Sequence, residues 1–284
     1  MRDYWEPCAP RLERKTMWAL ALIVTILVLV FVVYPRWRLQ RALRSAFPSH
    51  YSKILRRHLA PYRHMPADVQ LQLKQKIKQF LHEKTFVGCN GLEVTDEMRV
   101  TIAGRACMLL LNRKTEVYPR LTHILIYPDI FQVPRKETQA GGIVVEHSQT
   151  LAGESWSDGR VVLAWHEVLH PSVEDGRAHD VVVHEFAHQL DSEDGATDGA
   201  PPLPSTKAYR AWAAVLSREY ERLQSSVLAG IETLIDPYGT TNPAEFFAVC
   251  SEAYFYESDG LAYYHPHLYQ EFYKFYQVDP RDWK

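Results

Sequence analysis

Hydrophobic and polar positions divide this chain into one unbroken apolar run and a longer stretch of alternating patterns. From Met17 to Tyr34 the sequence reads MWALALIVTILVLVFVVY, with Thr25 the single polar residue. Eighteen residues of helix span ~27 Å, at ~1.5 Å per residue, close to the hydrocarbon thickness of a bilayer. Trp18, Tyr34 and Trp37 fall at its ends, where aromatic belts form. No polar face exists, which excludes an ordinary amphipathic core helix. A cleavable signal peptide would use Arg11, Arg14 and Lys15 as its basic region. The run ends, however, in Tyr34-Pro35-Arg36-Trp37 with no small-x-small site. The expectation is an uncleaved, single-pass anchor over residues 17–34, following a tail of residues 1–16.

Beyond the span, residues 35–50 form a basic connector ending at Pro48, suited to lie against anionic headgroups. Residues 51–84 are expected to be helical, with Val69, Leu71, Leu73, Ile77, Phe80 and Leu81 roughly in helical register after Pro66-Ala67-Asp68. Val100–Leu111 is apolar with small residues and suits either helix or strand. Strands are expected at His123–Tyr127, Gly141–Glu146 and Arg160–Trp165, with turn formers such as Ser157-Asp158-Gly159 between them. A helix is expected to start near Asp175–Asp180 and run to Leu190, and a loop to cover Asp191–Pro204. Further helices are expected at Ser205–Gln224, Pro243–Tyr256 and His267–Tyr276. Helices, then a few strands, then helices point to an α+β class rather than alternating βαβ units. Residues 51–284 are taken as the globular domain.

Composition changes this picture little. Hydrophobic residues make up 46% and charged residues 23% of 284, and the net charge is −2. That balance is ordinary for a globular chain and gives no sign of direct nucleic-acid binding. Cys8, Cys89, Cys107 and Cys250 show no C-x-x-C spacing, so no disulfide framework is implied. Cys107 and Cys250 sit in apolar stretches and are expected to pack as small hydrophobes. Four Lys and Arg residues precede the span and seven follow it closely. The positive-inside rule then places the C-terminal bulk in the cytoplasm, against a bacterial inner membrane.

The chemistry concentrates at His184-Glu185-Phe186-Ala187-His188. This H-E-x-x-H puts two imidazoles four residues apart on one helical face, with Glu185 placed to reach a water on a metal held there. Val181-Val182-Val183 and Leu190 flank it, so the helix is buried, where three ionisable groups are costly unless they act together. A catalytic zinc needs a third protein ligand. Glu245, among Phe246, Phe247 and Val249, is one candidate; its alternative is a carboxylate favoured by the helix N-terminus. Asp191 is a second candidate, or a partner for an imidazole N–H, or simply a helix end. Glu252, seven residues after Glu245, suits either support of a ligand or a surface ion pair. His147, His166, His170, His179, His265 and His267 have no distinguishing spacing and are read as structural or surface groups. The Arg160–Trp165 strand offers an edge for aligning a substrate backbone.

His184-Glu185-Phe186-Ala187-His188-Gln189-Leu190-Asp191, followed by Tyr238-Gly239-Thr240-Thr241-Asn242-Pro243-Ala244-Glu245-Phe246-Phe247-Ala248-Val249-Cys250-Ser251-Glu252, resembles the Mlc titration factor A family of zinc peptidases. The two blocks are also similar to the catalytic domain of anthrax lethal factor. Weaker likeness covers about residues 60–275, including Leu125-Ile126-Tyr127-Pro128. The resemblance implies a zincin-like fold of the gluzincin type, with a small mixed sheet and an active-site helix. It implies Zn2+ on His184, His188 and Glu245, Glu185 as general base, and Tyr238 as a transition-state donor. It implies a peptide or protein substrate. A regulatory protein partner, a glucose-responsive repressor, is implied too; a sequestering role with zinc mainly structural is the alternative function. The apolar span departs from the soluble relatives.

Overall fold

The computed structural model describes residues 11–139, 143–151, 153–156, 159–174 and 177–283; residues 11–16, 131–139, 143–151, 153–156 and 173–174 are described by backbone alone. The chain divides into two compact units, one ending at Ala46 and one beginning at Phe47.

The first unit is helical: α1 (Arg11–Val28), a π-helical segment at Leu29–Val33, and α2 (Tyr34–Arg44). Its 28 residues from Met17 to Arg44 are long and apolar enough to cross a membrane, with no part of the apolar stretch buried. The π segment has a local cause. Pro35 has no N–H to give to the preceding turn, and its ring crowds the carbonyl four residues back. Thr25 Oγ1 donates to Ala21 O at 2.8 Å, so this hydroxyl is satisfied inside its own helix. At the C-terminal end, Tyr34 and Trp37 stack at 6.2 Å, and the guanidinium of Arg41 lies over Trp37. The basic connector is thus mostly helix, ending before Pro48.

In the second unit the stretch expected to be helical, 51–84, forms α3 (Ser49–His58) and α4 (Ala67–Glu83), with a break around Pro61 and the second helix starting after Pro66 as expected. Next come β1 (Thr85–Gly88), α5 (Asp96–Met108) and β2 (His123–Tyr127). They are followed by β3 (Phe131–Gln139), β4 (Ile143–Leu151), β5 (Gly153–Trp156), β6 (Arg160–Ala164) and α6 (Trp165–Leu169). After β7 (Ser172–Glu174) and β8 (Arg177–His179), the remaining helices are α7 (Val181–Asp191), α8 (Thr206–Leu228), α9 (Pro243–Tyr256), α10 (Ser258–Tyr264) and α11 (Pro266–Tyr276).

The main sheet has the order β1-β2-β6-β5. β1, β2 and β6 are parallel, and β5 runs antiparallel to β6. This arrangement corrects the edge expected at Arg160–Trp165. β6 is paired on both sides, so the free edge beside it belongs to β5, a short polar segment. Residues 141, 142, 157, 158, 175 and 176 of the expected strands, turns and helix start lie outside the described residues. Gly159 closes its turn at φ 87°, a conformation that favours glycine.

α5 settles the helix-or-strand question. Thr95 Oγ1 accepts from the Met98 N–H, capping its start, and ten of its residues are buried. Gly104 lets Leu55 pack closely on α5: a Cβ there would meet Leu55 Cδ2 at 2.7 Å. The core joins α4 to α7 through Phe80 and Phe186, with Tyr118 from the loop before β2 against both, the rings 4.8–6.2 Å apart, and the Tyr118 hydroxyl donates to Ala106 O on α5. A second aromatic group, Trp212, Phe247, Phe272 and Phe275, binds α8, α9 and α11 together. These two layers hold α7 and α9 against each other. Cys107 and Cys250 are fully buried, as expected of small hydrophobes.

Candidate metal centre

α7 starts where its cap dictates. Asp180 Oδ1 accepts from the N–H groups of Val182 and Val183, at 2.9 and 3.1 Å. Asp180 is fully buried. Its other oxygen faces Arg105 Nε at 3.3 Å and accepts from the Tyr256 hydroxyl at 2.5 Å. Arg105 in turn donates to the carbonyls of Val168 and His58. The start of α7 is therefore anchored to α5 by an ion pair and to α9 by a charge-assisted hydrogen bond.

α9 starts just as firmly. Asn242 Oδ1 accepts from the Glu245 N–H at 2.9 Å, and Pro243 occupies the first turn. Glu245 thereby faces His184 and His188. Its Oε2 lies 3.0 Å from His184 Nε2 and 3.3 Å from His188 Nε2, and the two Nε2 atoms are 3.3 Å apart. Donors on a tetrahedral zinc, bound at about 2.0–2.1 Å, are separated by ~3.3 Å. Three convergent donors at that spacing fit a metal ion.

Hydrogen bonding selects the ligating nitrogen. His184 Nδ1 lies 2.7 Å from Glu252 Oε1 and must be the donor, because a carboxylate only accepts. That leaves Nε2 with a lone pair toward the cluster. Glu252 is 1% exposed, so it is no surface group. Its Oε2 also accepts the Asp180 N–H at 2.5 Å and pairs with His179 Nδ1 at 3.4 Å. Burial opposes the charge of Glu252, but the bonds from His179 and His184 outweigh it and hold its carboxyl below the usual range. Glu245 behaves likewise: its bonds to His184 and His188 prevail over burial. Burial disfavours an imidazolium at His184, yet Glu245 and Glu252 together push its pKa well above the ordinary value.

Asp191 is not in the cluster. Its Oδ2 accepts from the Gly199 N–H at 2.8 Å, which ties the end of α7 to the following loop. Burial raises its pKa to about 6. Its Oδ1 and His188 Nδ1 are both buried without a hydrogen bond. Glu185, 5% exposed, lies on α7 between the two histidines. Tyr238 sits in a short 3-10 turn (Pro237–Thr240), half-exposed, with its ring centroid 6.0 Å from that of His184. Asp236 caps this turn, and Gly239 lets it press on α9: a Cβ there would meet Val249 Cγ2 at 2.7 Å.

His179, Asp180 and Arg105 were not singled out by the sequence. Asp180 is marked locally only as the start of a helix; its bonds to Glu252 and Tyr256 close separations of 72 and 76 residues, which no local pattern shows. Of the other histidines, His265 bonds Glu219 at 2.8 Å, and His166 and His170 stack on each other. The side chain of His147, on β4, lies outside the described residues.

Residues 34–277 match the model of a family described as glucose-regulated metallo-peptidase M90. An uncharacterized protein of Synechocystis sp. is 40% identical over 268 residues, covering 92% of this chain and 97% of that protein. Mlc titration factor A of Serratia proteamaculans is 34% identical, over 71% of this chain and 77% of its own length. The protein of that name from Klebsiella pneumoniae strain 342 is 32% identical, over 76% and 82%. With the three-donor cluster inside the matched region, the chain belongs to the M90 metallopeptidase family.

Proposed function

We propose that this chain is a membrane-anchored, zinc-dependent peptidase. The observation that carries the proposal is the convergence of His184 Nε2, His188 Nε2 and Glu245 Oε2 at 3.0–3.3 Å. These three residues would hold Zn2+, which supplies Lewis-acid polarisation of a peptide carbonyl and a more acidic water. Glu185 acts as general base, taking a proton from the attacking water and returning it to the leaving amine. Tyr238, half-exposed beside His184, donates a hydrogen bond from its hydroxyl to the developing oxyanion. Glu252 fixes the His184 tautomer and, through the Asp180 N–H, ties it to the first turn of α7. β5, one of the two sheet edges among the described residues, lies against α7 and is the place for an extended substrate backbone.

Residues 17–34 form the anchor, residues 35–50 the basic membrane-proximal linker, and residues 51–284 the peptidase domain, on the cytoplasmic side. The seven basic residues after the span support that side. Replacing Glu185 with Gln tests the mechanism: metal stays bound and peptide cleavage stops.

A second reading is kept alive by the name of the relatives, titration factor. In it the tethered domain sequesters a regulatory protein, with the metal structural. A regulator that is captured by the Glu185→Gln chain, with the cellular effect intact, would favour this reading.

A further inference from the structure

Beside the loop that follows Asp191 lies a cavity of about 640 Å3, within the range of small-molecule sites. It contains none of the metal-centre residues. Its walls are Arg113–Thr115, the loop at Pro202–Ser205, the start of α8 and the end of α11. Trp212 and Phe275, 2% and 6% exposed, form its apolar part. The Trp212 indole N–H is already used, donating to Gly199 O at 2.9 Å, so this wall offers only apolar surface.

The charges around the cavity are one-sided. Arg113, Lys114, Lys207 and Lys274 line it, against a single lining carboxylate, Glu271, which Lys274 engages at 2.7 Å. Arg113 is the unusual member. It is 9% exposed, and its guanidinium rests 4.2 Å above the Phe275 ring. Its Nη1 is buried with no hydrogen bond. Glu193 feels its charge, yet Glu193 Oε1 is also unbonded and no ion pair joins the two among the described residues. Nη1 itself is enclosed by protein, so an anion in the cavity meets the charge of the guanidinium and its remaining N–H donors.

We propose that this cavity is a binding site for a small organic anion, one that sets a phosphate or carboxylate against Arg113 and an apolar, planar body against Trp212 and Phe275. Stacking on the ring fixes the plane of the guanidinium, and its fork presents donors in a geometry that suits phosphate and carboxylate oxygens. Lys114 and Lys207 add field at the mouth.

Phenyl phosphate is the probe. The full-length chain, in nanodiscs of zwitterionic lipid, is titrated by calorimetry with phenyl phosphate and with phenol. Each titration is repeated after removal of metal with a chelator, which separates this cavity from the metal centre. The expected result is saturable binding of phenyl phosphate, none of phenol, and the same affinity with and without metal. Arg113→Gln should weaken binding by about tenfold or more. Because Arg113 is packed in the core, Lys207→Glu at the rim serves as the second variant and should weaken it by about threefold. The proposal is overturned if phenyl phosphate does not bind, if phenol binds equally, if chelation abolishes binding, or if the folded variants bind as tightly as the parent.

Discussion

Glu252 accepts a hydrogen bond from His184 Nδ1–H at 2.7 Å from a position two helical turns beyond Glu245, so one helix both contributes to the three-donor cluster and orients one of its imidazoles. The same carboxylate accepts the Asp180 N–H. Glu252→Ala should therefore lower metal affinity by about 10–100-fold while the chain stays folded. A competition titration with a zinc chelator measures this. Unchanged affinity would mean that the bond has no bearing on the metal.

The buried pair Arg105–Asp180, at 3.3 Å, should matter for stability more than for chemistry. Asp180→Ala removes the cap of α7 and strands a buried guanidinium, a loss of about 3–5 kcal/mol. Asp180→Asn keeps a capping oxygen and should be less damaging than Ala. Thermal melts followed by circular dichroism decide it; equal melting temperatures for Ala and the parent would sink the idea.

Much of this arrangement was legible in the sequence, and the reasons are local. Asn242 and Pro243 mark the start of α9, and apolar residues run to Tyr256, which is where the helix ends. The H-E-x-x-H helix carries its own histidine spacing. Pairing between distant segments was less visible. β5 is four residues, mostly polar, and becomes a strand because Gly153–Trp156 meets Arg160–Leu163 in register; that pairing also removes the edge expected on β6. β1 is equally short and depends on β2 for its partner. Glu252 had the right spacing but two meanings. Only the 68-residue separation closed by the fold, between Glu252 and His184, chooses between them.

The pH dependence follows from His184. Its pKa is raised by Glu245 and Glu252 against the opposing effect of burial. A raised imidazole pKa contributes stability that is complete below about 6.5 and is lost as pH rises through the folded value. The metal-free chain should thus lose stability on moving from neutral to alkaline pH. Metal must displace that proton, so zinc affinity should rise over the same interval. Melts with and without chelator, from about pH 6 to about pH 9, give both curves. A zinc-induced shift that shrinks with rising pH would contradict this.

Tyr238 stands at the rim and is not part of the three-donor cluster. Tyr238→Phe should leave metal content and melting temperature unchanged and lower kcat by about 10²-fold, as expected for loss of one oxyanion donor. A change confined to KM would reassign Tyr238 to substrate binding.

The most direct measurement pairs metal analysis with peptide-library cleavage by the full-length chain and its Glu185→Gln and Glu245→Ala variants. The account expects one zinc per chain and cleavage in the parent, zinc without cleavage in Glu185→Gln, and loss of both in Glu245→Ala. Normal cleavage by the Glu185→Gln chain would contradict it.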